Sequence, residues 1–294
     1  MSIDLERASA FLASHGRVLD RHRLEAVVHG SDDSRRAVVA ALGGYRNADG
    51  GYGWGLEPDL RARESQPGGA QHAFEALADA GLASPDVAGL LEWLDSVTLA
   101  DGGLPFALPI GDPVGCAPFW VEADPSESSL QLTAAVAMHA HRAGRFDATI
   151  LAHPWLGRAS RYCFGAIRRT EEAPFAYVLA FALQFLDAAS DTSPEALSLL
   201  DHLAQFVPAD GALPVAGTDG ETLHLLIYAP DPDRPVRKLL DPAAVSADLD
   251  RLEAGQRADG GWTVDYPSYS EAAALEWRGS ATVNAVATLR RNGR

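Results

Sequence analysis

Apolar residues recur every three or four positions along most of the chain. In one segment they fall at Val87, Leu90, Leu91 and Leu94, and similar spacing marks most of the chain between turns. This spacing places apolar side chains on one face of an α-helix, because the helix turns once every 3.6 residues. The pattern therefore predicts a series of amphipathic helices.

Two-residue alternation, the pattern of a half-buried strand, is scarce. The main candidate strand is the short stretch Leu223–Ala229. We therefore expect an all-α protein, with about eleven or twelve helices forming a single domain over residues 1–294.

Four Asp-Gly turns punctuate the helical pattern. They stand at Asp49-Gly50-Gly51, Asp101-Gly102-Gly103, Asp210-Gly211-Ala212 and Asp259-Gly260-Gly261, so their spacings are 52, 109 and 49 residues. The middle spacing is about twice the others, as if one repeat had lost its turn. A period of roughly 50 residues predicts stacked helical hairpins, which form an open solenoid or close into a double ring.

The fourth turn carries a more specific motif. Gln256, Gly260 and Trp262 in "QRADGGW" resemble the Gln-Trp repeat of squalene–hopene cyclases and related terpene cyclases. "RNADGGY" is similar to a degenerate copy, with Arg46 in the Gln position and Tyr52 in the Trp position. The resemblance implies the α/α toroid shared by terpene cyclases and the β subunits of protein prenyltransferases. It also implies structural roles for Gln256 and Trp262.

The sequence departs from that family at the residues that decide its chemistry. The protonating Asp-x-Asp-Asp motif is absent: the pairs Asp248/Asp250 and Asp231/Asp233 lack the adjacent final Asp. No Asp-Asp-x-x-Asp motif for magnesium occurs, and neither cysteine has the setting of a zinc ligand. The resemblance therefore implies the fold but not the mechanism, and we expect no metal or other cofactor.

Composition narrows the class of partner. The net charge is −16 from 24 basic and 40 acidic residues, and such a surface disfavours nucleic acid and anionic lipid.

The longest strongly apolar run, Ala173–Leu186, is shorter than the roughly 20 residues of a membrane span. The N-terminal segment predicts an amphipathic helix and not a signal peptide. Two unpaired cysteines suit a reducing compartment, so we expect a cytoplasmic protein.

The irregular segments that follow the turns hold the candidate site residues, because in a toroid they gather at one mouth of the central cavity. Each combines carboxylates with proline, and usually with aromatic residues. A buried carboxyl in an apolar wall can donate a proton, and aromatic faces stabilise a developing cation. The candidate catalytic residues are Glu57, Asp59, Glu122 and Asp124. The candidate substrate-binding residues are Tyr52, Trp54, Arg61, Arg63, Phe119, Trp120, Tyr266, Tyr269 and Trp277.

Three functions fit this pattern. The first is a terpene-cyclase-like enzyme that protonates an isoprenoid or similar apolar substrate. The second is a carbohydrate-active lyase or hydrolase, which also uses paired carboxylates and stacking aromatics. The third is a non-catalytic binding module. Within the first segment, Arg61 or Arg63 is a candidate for binding a diphosphate. The structural alternative is that this segment is a loop held by salt bridges. His72 and His224 are interpreted as packing or surface residues.

Overall fold

A computed structural model describes residues 3–294 of the protein. It is mostly helical, with 57% of residues in helices and one two-stranded sheet, so the all-α prediction is confirmed. Eleven of the fourteen α-helices within residues 3–294 have ten or more residues. The helices are α1 Leu5–His15, α2 Val18–His29, α3 Asp32–Leu42, α4 Pro67–Ala80, α5 Val87–Val97, α6 Pro118–Val121, α7 Leu130–Ala143, α8 Ala148–Ala152, α9 Pro154–Arg168, α10 Ala176–Ala189, α11 Glu195–Ala204, α12 Leu225–Tyr228, α13 Pro242–Ala254 and α14 Glu271–Arg291.

Local sequence sets where the helices begin. Pro67 is the first residue of α4, where its missing N–H costs no hydrogen bond. Ser270 caps α14 by accepting a hydrogen bond from the backbone N–H of Ala273. Glu271 is the first helical position, where its negative charge suits the positive end of the helix dipole.

The four Asp-Gly turns share one geometry. In each, the Asp side chain accepts a hydrogen bond from the backbone N–H two residues later, at 2.9 Å for Asp49, 3.0 Å for Asp101 and Asp210, and 3.1 Å for Asp259. The glycine between them has positive φ in all four turns, which only glycine adopts without strain. The repeat seen in the sequence is therefore a structural repeat.

Three of these turns pack against a helix in the same way. A methyl group on Gly50 would meet the backbone of Gly89 in α5, and one on Gly102 would meet the backbone of Arg158 in α9. The equivalent methyl group on Gly260 would meet the backbone of Arg7 in α1. The last turn of the series thus lies on the first helix of the chain.

The helices α2, α4, α7 and α10 pack side by side in that order, and α14 packs on α2. Small residues make the closest of these contacts possible: Ala134, Ala137 and Ala140 of α7 have no exposed surface. Helices α2 and α14, which come from opposite ends of the chain, are therefore neighbours. Packing of this kind excludes water from a continuous apolar layer.

The candidate strand Leu223–Ala229 is wrong over most of its length. Only its first residue belongs to a strand: Thr222–Leu223 pairs antiparallel with Leu213–Pro214, and Leu225–Tyr228 is the short helix α12. The amide of Leu226 donates to the Asp248 carboxylate at 2.9 Å, which helps hold this turn of helix. None of the helices within residues 3–294 is long and apolar enough to cross a membrane.

Candidate active site

The segment between the first turn and α4 is buried, although it is irregular. Two side chains hold its backbone: Arg17 donates to the carbonyl of Leu56 at 2.9 Å, and the carboxylate of Glu57, within the segment, accepts from the Asp59 amide at 3.0 Å. Gly69, in the first turn of α4, packs against the backbone of Tyr52. A Cβ atom at position 69 would overlap the Tyr52 carbonyl oxygen. This packing presents Glu57 and Asp59 toward the N-terminal end of α14.

Asp59 is enclosed by aromatic residues. It is 4% exposed, and its two carboxylate oxygens accept from the indole N–H of Trp277 at 2.7 Å and from the Tyr269 amide at 3.1 Å. Burial raises the pKa of Asp59 against the opposing effect of these two hydrogen bonds, and the nearby charge of Glu57 adds to the rise. Asp59 thus keeps its proton more readily than an ordinary aspartate does.

Glu57 has a different environment. Its second carboxylate oxygen pairs with Nε2 of His72 at 2.7 Å, and Nδ1 of the same ring pairs with Glu75 at 2.8 Å. Burial alone would lower the pKa of His72, but the two carboxylates raise it to about 9. His72 is therefore an imidazolium at neutral pH, and Glu57 faces it as the partner carboxylate.

The chain of hydrogen bonds continues inward to Arg23. This guanidinium, 2% exposed, donates to Glu75 at 2.7 Å, to Asp79 at 2.8 Å and to Asn284 at 3.2 Å. Burial would raise the pKa of Glu75, but Arg23 and His72 hold it well below its usual range. Three helices, α2, α4 and α14, are thereby tied together by hydrogen bonds to the Arg23 guanidinium.

A second group of polar residues lies beside Glu57. The hydroxyl of Tyr177, near the start of α10, donates to the carboxylate of Glu221. Burial raises the pKa of Tyr266 well above its usual value, and the charges of Glu57, Asp59 and Glu221 add to this effect. The segments after the first, third and fourth turns therefore meet at one place.

Aromatic rings form the remaining wall. Tyr266 meets Trp277 edge-on at 5.4 Å between ring centroids, and Trp277 meets His72 at 5.9 Å. On the other side of Asp59, Tyr269 meets Phe119 at 5.7 Å, and Phe119 lies 5.5 Å from Trp120. The faces of such rings attract positive charge.

Several predicted site residues are thus brought together, and others are not. Glu57, Asp59, Tyr266, Tyr269 and Trp277 lie in one cluster, with Phe119 and Trp120 beside it. Glu122 and Asp124 are exposed, and Asp124 accepts two hydrogen bonds from Ser126, which lower its pKa. These two carboxylates lack the burial that favours a proton donor.

The remaining predicted contacts lie outside the cluster. Tyr52 is 2% exposed and its carbonyl accepts from the Gln66 amide. Trp54 is 51% exposed, bonds to Asn47 and has Arg63 over its ring. Arg61 is paired with Glu276 at 2.8 Å. Arg61 therefore has the kind of ion-pair partner that the salt-bridged alternative expects, whereas Arg63 packs on an aromatic ring.

The residues that sequence reasoning missed are His72, Glu75, Arg23, Tyr177 and Glu221. The interpretation of His72 as a packing or surface residue is wrong, since it is buried between two carboxylates. The available signal was the spacing of His72 and Glu75. Residues three or four apart share a helix face, so His72, Glu75 and Asp79 form one polar stripe on α4. Their partners come from distant segments, so spacing alone did not identify them.

No cluster of three or more His, Cys, Asp or Glu side chains in residues 3–294 is arranged to hold a metal ion. A scan of protein-family descriptions finds no match to the chain, and a search of curated proteins finds none either. Among solved structures, the chain is similar to one described as the crystal structure of a protein from Actinoplanes. That similarity has a TM-score of 0.56 at 17% identity and covers 99% of this chain and 98% of the other. At this identity the match bears on the fold alone.

Proposed function

We propose that the protein is a cytoplasmic enzyme that protonates an isoprenoid or similar apolar, unsaturated substrate, with Asp59 as the acid. The observation that carries this proposal is the environment of Asp59: a buried carboxyl with a raised pKa, hydrogen-bonded to Trp277 and bordered by aromatic rings. Glu57 is also a candidate acid on sequence grounds, but its proposed role is that of a negatively charged neighbour of Asp59.

The proposed step is balanced within the site. The Asp59 proton moves to one carbon of a double bond, whose π electron pair forms the new C–H bond. The other carbon becomes a cation, and Asp59 becomes a carboxylate. Loss of a neighbouring C–H proton to Asp59 regenerates the acid and gives an isomerised or cyclised alkene. Trp277, Tyr266 and Tyr269 stabilise the cation through their ring faces, by about 2 kcal/mol or more each where water is excluded.

The arrangement of the helices in a closed ring is part of the same proposal. We infer that the helices form an α/α toroid with α2, α4, α7, α10 and α14 on the inside. Two contacts support closure of the ring: α14 packs on α2, and the fourth turn lies on α1 as the earlier turns lie on later helices. Gln256 strengthens the second contact, since its amide bonds both to the backbone of Asp4 and to the Gly260 carbonyl.

Incubation of the enzyme with a panel of prenyl alcohols and cyclic and acyclic terpenes in D₂O tests the proposal. Deuterium should enter the product at carbon, and Asp59→Asn should lower the rate by about 100-fold or more, since general acids contribute at least that much. Asp265→Asn, which removes an exposed carboxylate from the same region, is the matched control. Turnover by Asp59→Asn at the wild-type rate would remove Asp59 from the mechanism.

A carbohydrate-active enzyme is the second candidate. The observation that favours it is the Tyr177–Glu221 pair next to Glu57, because a tyrosine bonded to a carboxylate can exchange protons with a sugar hydroxyl or ring carbon. Exposed rings at Phe119 and Tyr269 could stack on sugar faces. A matched panel of neutral and uronic-acid oligosaccharides separates the two candidates: cleavage that is lost in Tyr177→Phe but kept in Asp59→Asn would select the second.

A further inference from the structure

A cavity of about 420 Å³ lies where α5 meets the start of α8, and it shares no residue with the Asp59 cluster. Its volume is in the range of small-molecule sites. The lining residues include no Phe, Tyr, Trp, Lys or Arg. Half of the wall is aliphatic, formed by Ala83, Pro85, Val87, Ala88 and Leu91. The apolar part of the cavity therefore suits an aliphatic group.

The polar part of the wall contains Asp147, which is 9% exposed. Asp147 is the N-cap of α8: its Oδ1 accepts from the Thr149 amide at 3.1 Å and from the Thr149 hydroxyl at 2.6 Å. The cap uses one carboxylate oxygen only. No donor within residues 3–294 bonds to Oδ2, although this oxygen keeps accessible surface. One oxygen of a buried carboxylate in the cavity wall is thus left for a donor from outside the protein.

Asp147 also lacks a counter-ion. Aspartate is almost never buried to this extent unless it is paired. Within residues 3–294, no Lys, Arg or His side chain forms an ion pair with Asp147, and Arg145, two residues before it, is paired with Asp191 at 2.9 Å. The helix cap explains the position of Asp147 but leaves its charge without a positive partner.

The second carboxylate of the lining, Glu92, lies at the solvent side of the cavity, where its side chain is 77% exposed. Nδ1 of His153 accepts from the Trp155 amide at 3.3 Å, so the ring proton is on Nε2, which lies 3.5 Å from Glu92. His153 thereby helps to hold Glu92 in place. Two carboxylates without a basic residue in the lining attract cations.

We propose that this cavity binds a primary ammonium ion that carries an aliphatic chain, with the ammonium group on Asp147 and the chain against Val87, Ala88 and Leu91. The wall offers no ring face of Phe, Tyr or Trp to hold a quaternary ammonium ion. A charge-assisted hydrogen bond to Asp147 is the remaining means of recognition, and only an ammonium ion with N–H groups can donate one. This site goes beyond the proposed function and does not depend on turnover at Asp59.

The experiment is a calorimetric titration of the whole protein with hexylammonium at neutral pH and about 0.15 M salt, which screens unspecific attraction to the acidic surface. Hexan-1-ol keeps the chain and a donor but carries no charge. Hexyltrimethylammonium keeps the chain and the charge but has no N–H group. Hexylammonium should bind at least about ten-fold more tightly than either, because the bond to Asp147 requires both charge and donor.

Asp147→Asn tests the carboxylate. The variant removes the charge but keeps an oxygen that can cap α8, since Asn is as good an N-cap residue as Asp. Binding of hexylammonium should weaken by about ten-fold or more. Asp241→Asn is the matched control: Asp241 caps α13 by accepting from the Ala243 amide, lies outside the cavity and should not affect binding.

Ala88→Leu tests the aliphatic wall separately. Ala88 is an exposed position of α5, so the variant should fold, and the added bulk should weaken hexylammonium binding about five-fold or more. Ala13→Leu, at an exposed position of α1, should leave binding unchanged. Asp59→Asn should bind hexylammonium like the wild type while losing turnover, so failure of this site and failure of the proposed function are distinguishable.

Three results would each overturn the proposal. The first is no binding of hexylammonium by the folded wild type. The second is binding of hexan-1-ol or hexyltrimethylammonium as tightly as hexylammonium. The third is undiminished binding of hexylammonium by Asp147→Asn or by Ala88→Leu.

Discussion

The imidazole of His72 and the carboxylate of Glu57 are joined by a contact of 2.7 Å between Nε2 and Oε2, although they come from α4 and from the irregular segment before it. The other ring nitrogen of His72 is held by Glu75 at 2.8 Å. Two carboxylates on one buried imidazole favour its protonated form, so the folded protein binds a proton more tightly than the unfolded chain does. The free energy of unfolding therefore depends on pH through His72.

The first prediction concerns stability at alkaline pH. The pKa of His72 rises from 6.5 in the unfolded chain to about 9 in the folded protein. Its contribution to stability is complete below pH 6.5 and is lost as the pH rises through 9. That loss should be about 3 kcal/mol of unfolding free energy, measured by urea denaturation across this range. His72→Gln should be less stable at pH 6.5 and should show a flatter dependence, whereas parallel curves for the two proteins would contradict the assignment.

The second prediction concerns stability at acid pH. His139 in α7 is buried, and burial lowers its pKa from 6.5 to about 3. A folded-state pKa below the unfolded value means that the neutral form stabilises the protein above pH 6.5, and that stability falls as the pH drops toward 3. His139→Gln should lose less unfolding free energy than the wild type between pH 6.5 and 4, by roughly 3 kcal/mol. The exposed His29→Gln should behave like the wild type.

The third prediction concerns the buried guanidinium of Arg23. Its removal leaves Glu75 and Asp79 without their main counter-charge, and unpaired buried charges typically cost 3–5 kcal/mol. Arg23→Met should therefore lower the unfolding free energy by about that amount. Arg36→Met, which breaks an exposed pair with Asp33, should cost about 1 kcal/mol or less. Similar losses in the two variants would show that the buried network contributes little.

The fourth prediction concerns the contact between the two ends of the chain. Gln256 bonds to both the amide and the carbonyl of Asp4, the residue that caps α1. Gln256→Ala should increase hydrogen exchange in α1 by about five- to thirty-fold, because loss of two hydrogen bonds costs roughly 1–2 kcal/mol locally. Gln205→Ala, which changes an exposed glutamine after α11, should leave exchange in α1 as it is. Unchanged exchange in the first variant would remove Gln256 from the closure of the fold.

The repeated elements of the fold could be predicted from the sequence because their causes are local. An Asp side chain bonds to the amide two residues later, and the intervening glycine takes positive φ. The three residues that begin at Asp49 or Asp259 are therefore enough to predict the turn. The helical spacing of apolar residues can likewise be read from positions that are close in the sequence. Glu57 and Asp59 could also be predicted as candidates, since the segment after the first turn combines carboxylates with proline and aromatic residues.

The roles of those residues could not be predicted, because they are set by distant partners. Asp59 meets Trp277, 218 positions away, and Arg23 meets Asn284, 261 positions away. Glu57 and Asp59 are two residues apart, yet one faces an imidazolium and the other an indole. The Leu225–Tyr228 turn failed as a strand for a similar reason: Asp248 from α13 fixes the Leu226 amide in a helix. Only the folded arrangement separates these environments.

The account depends most on Asp59 being a carboxyl that keeps its proton more readily than an ordinary aspartate does. A carboxyl carbon NMR titration of protein labelled at Asp, with the Asp59 signal identified by its absence from Asp59→Asn, measures this directly. The account predicts that Asp59 titrates above 3.8 and that Glu57→Gln lowers its pKa, because the variant removes a neighbouring negative charge. An Asp59 signal that titrates at or below 3.8 in the wild type would contradict the role of this residue as the acid.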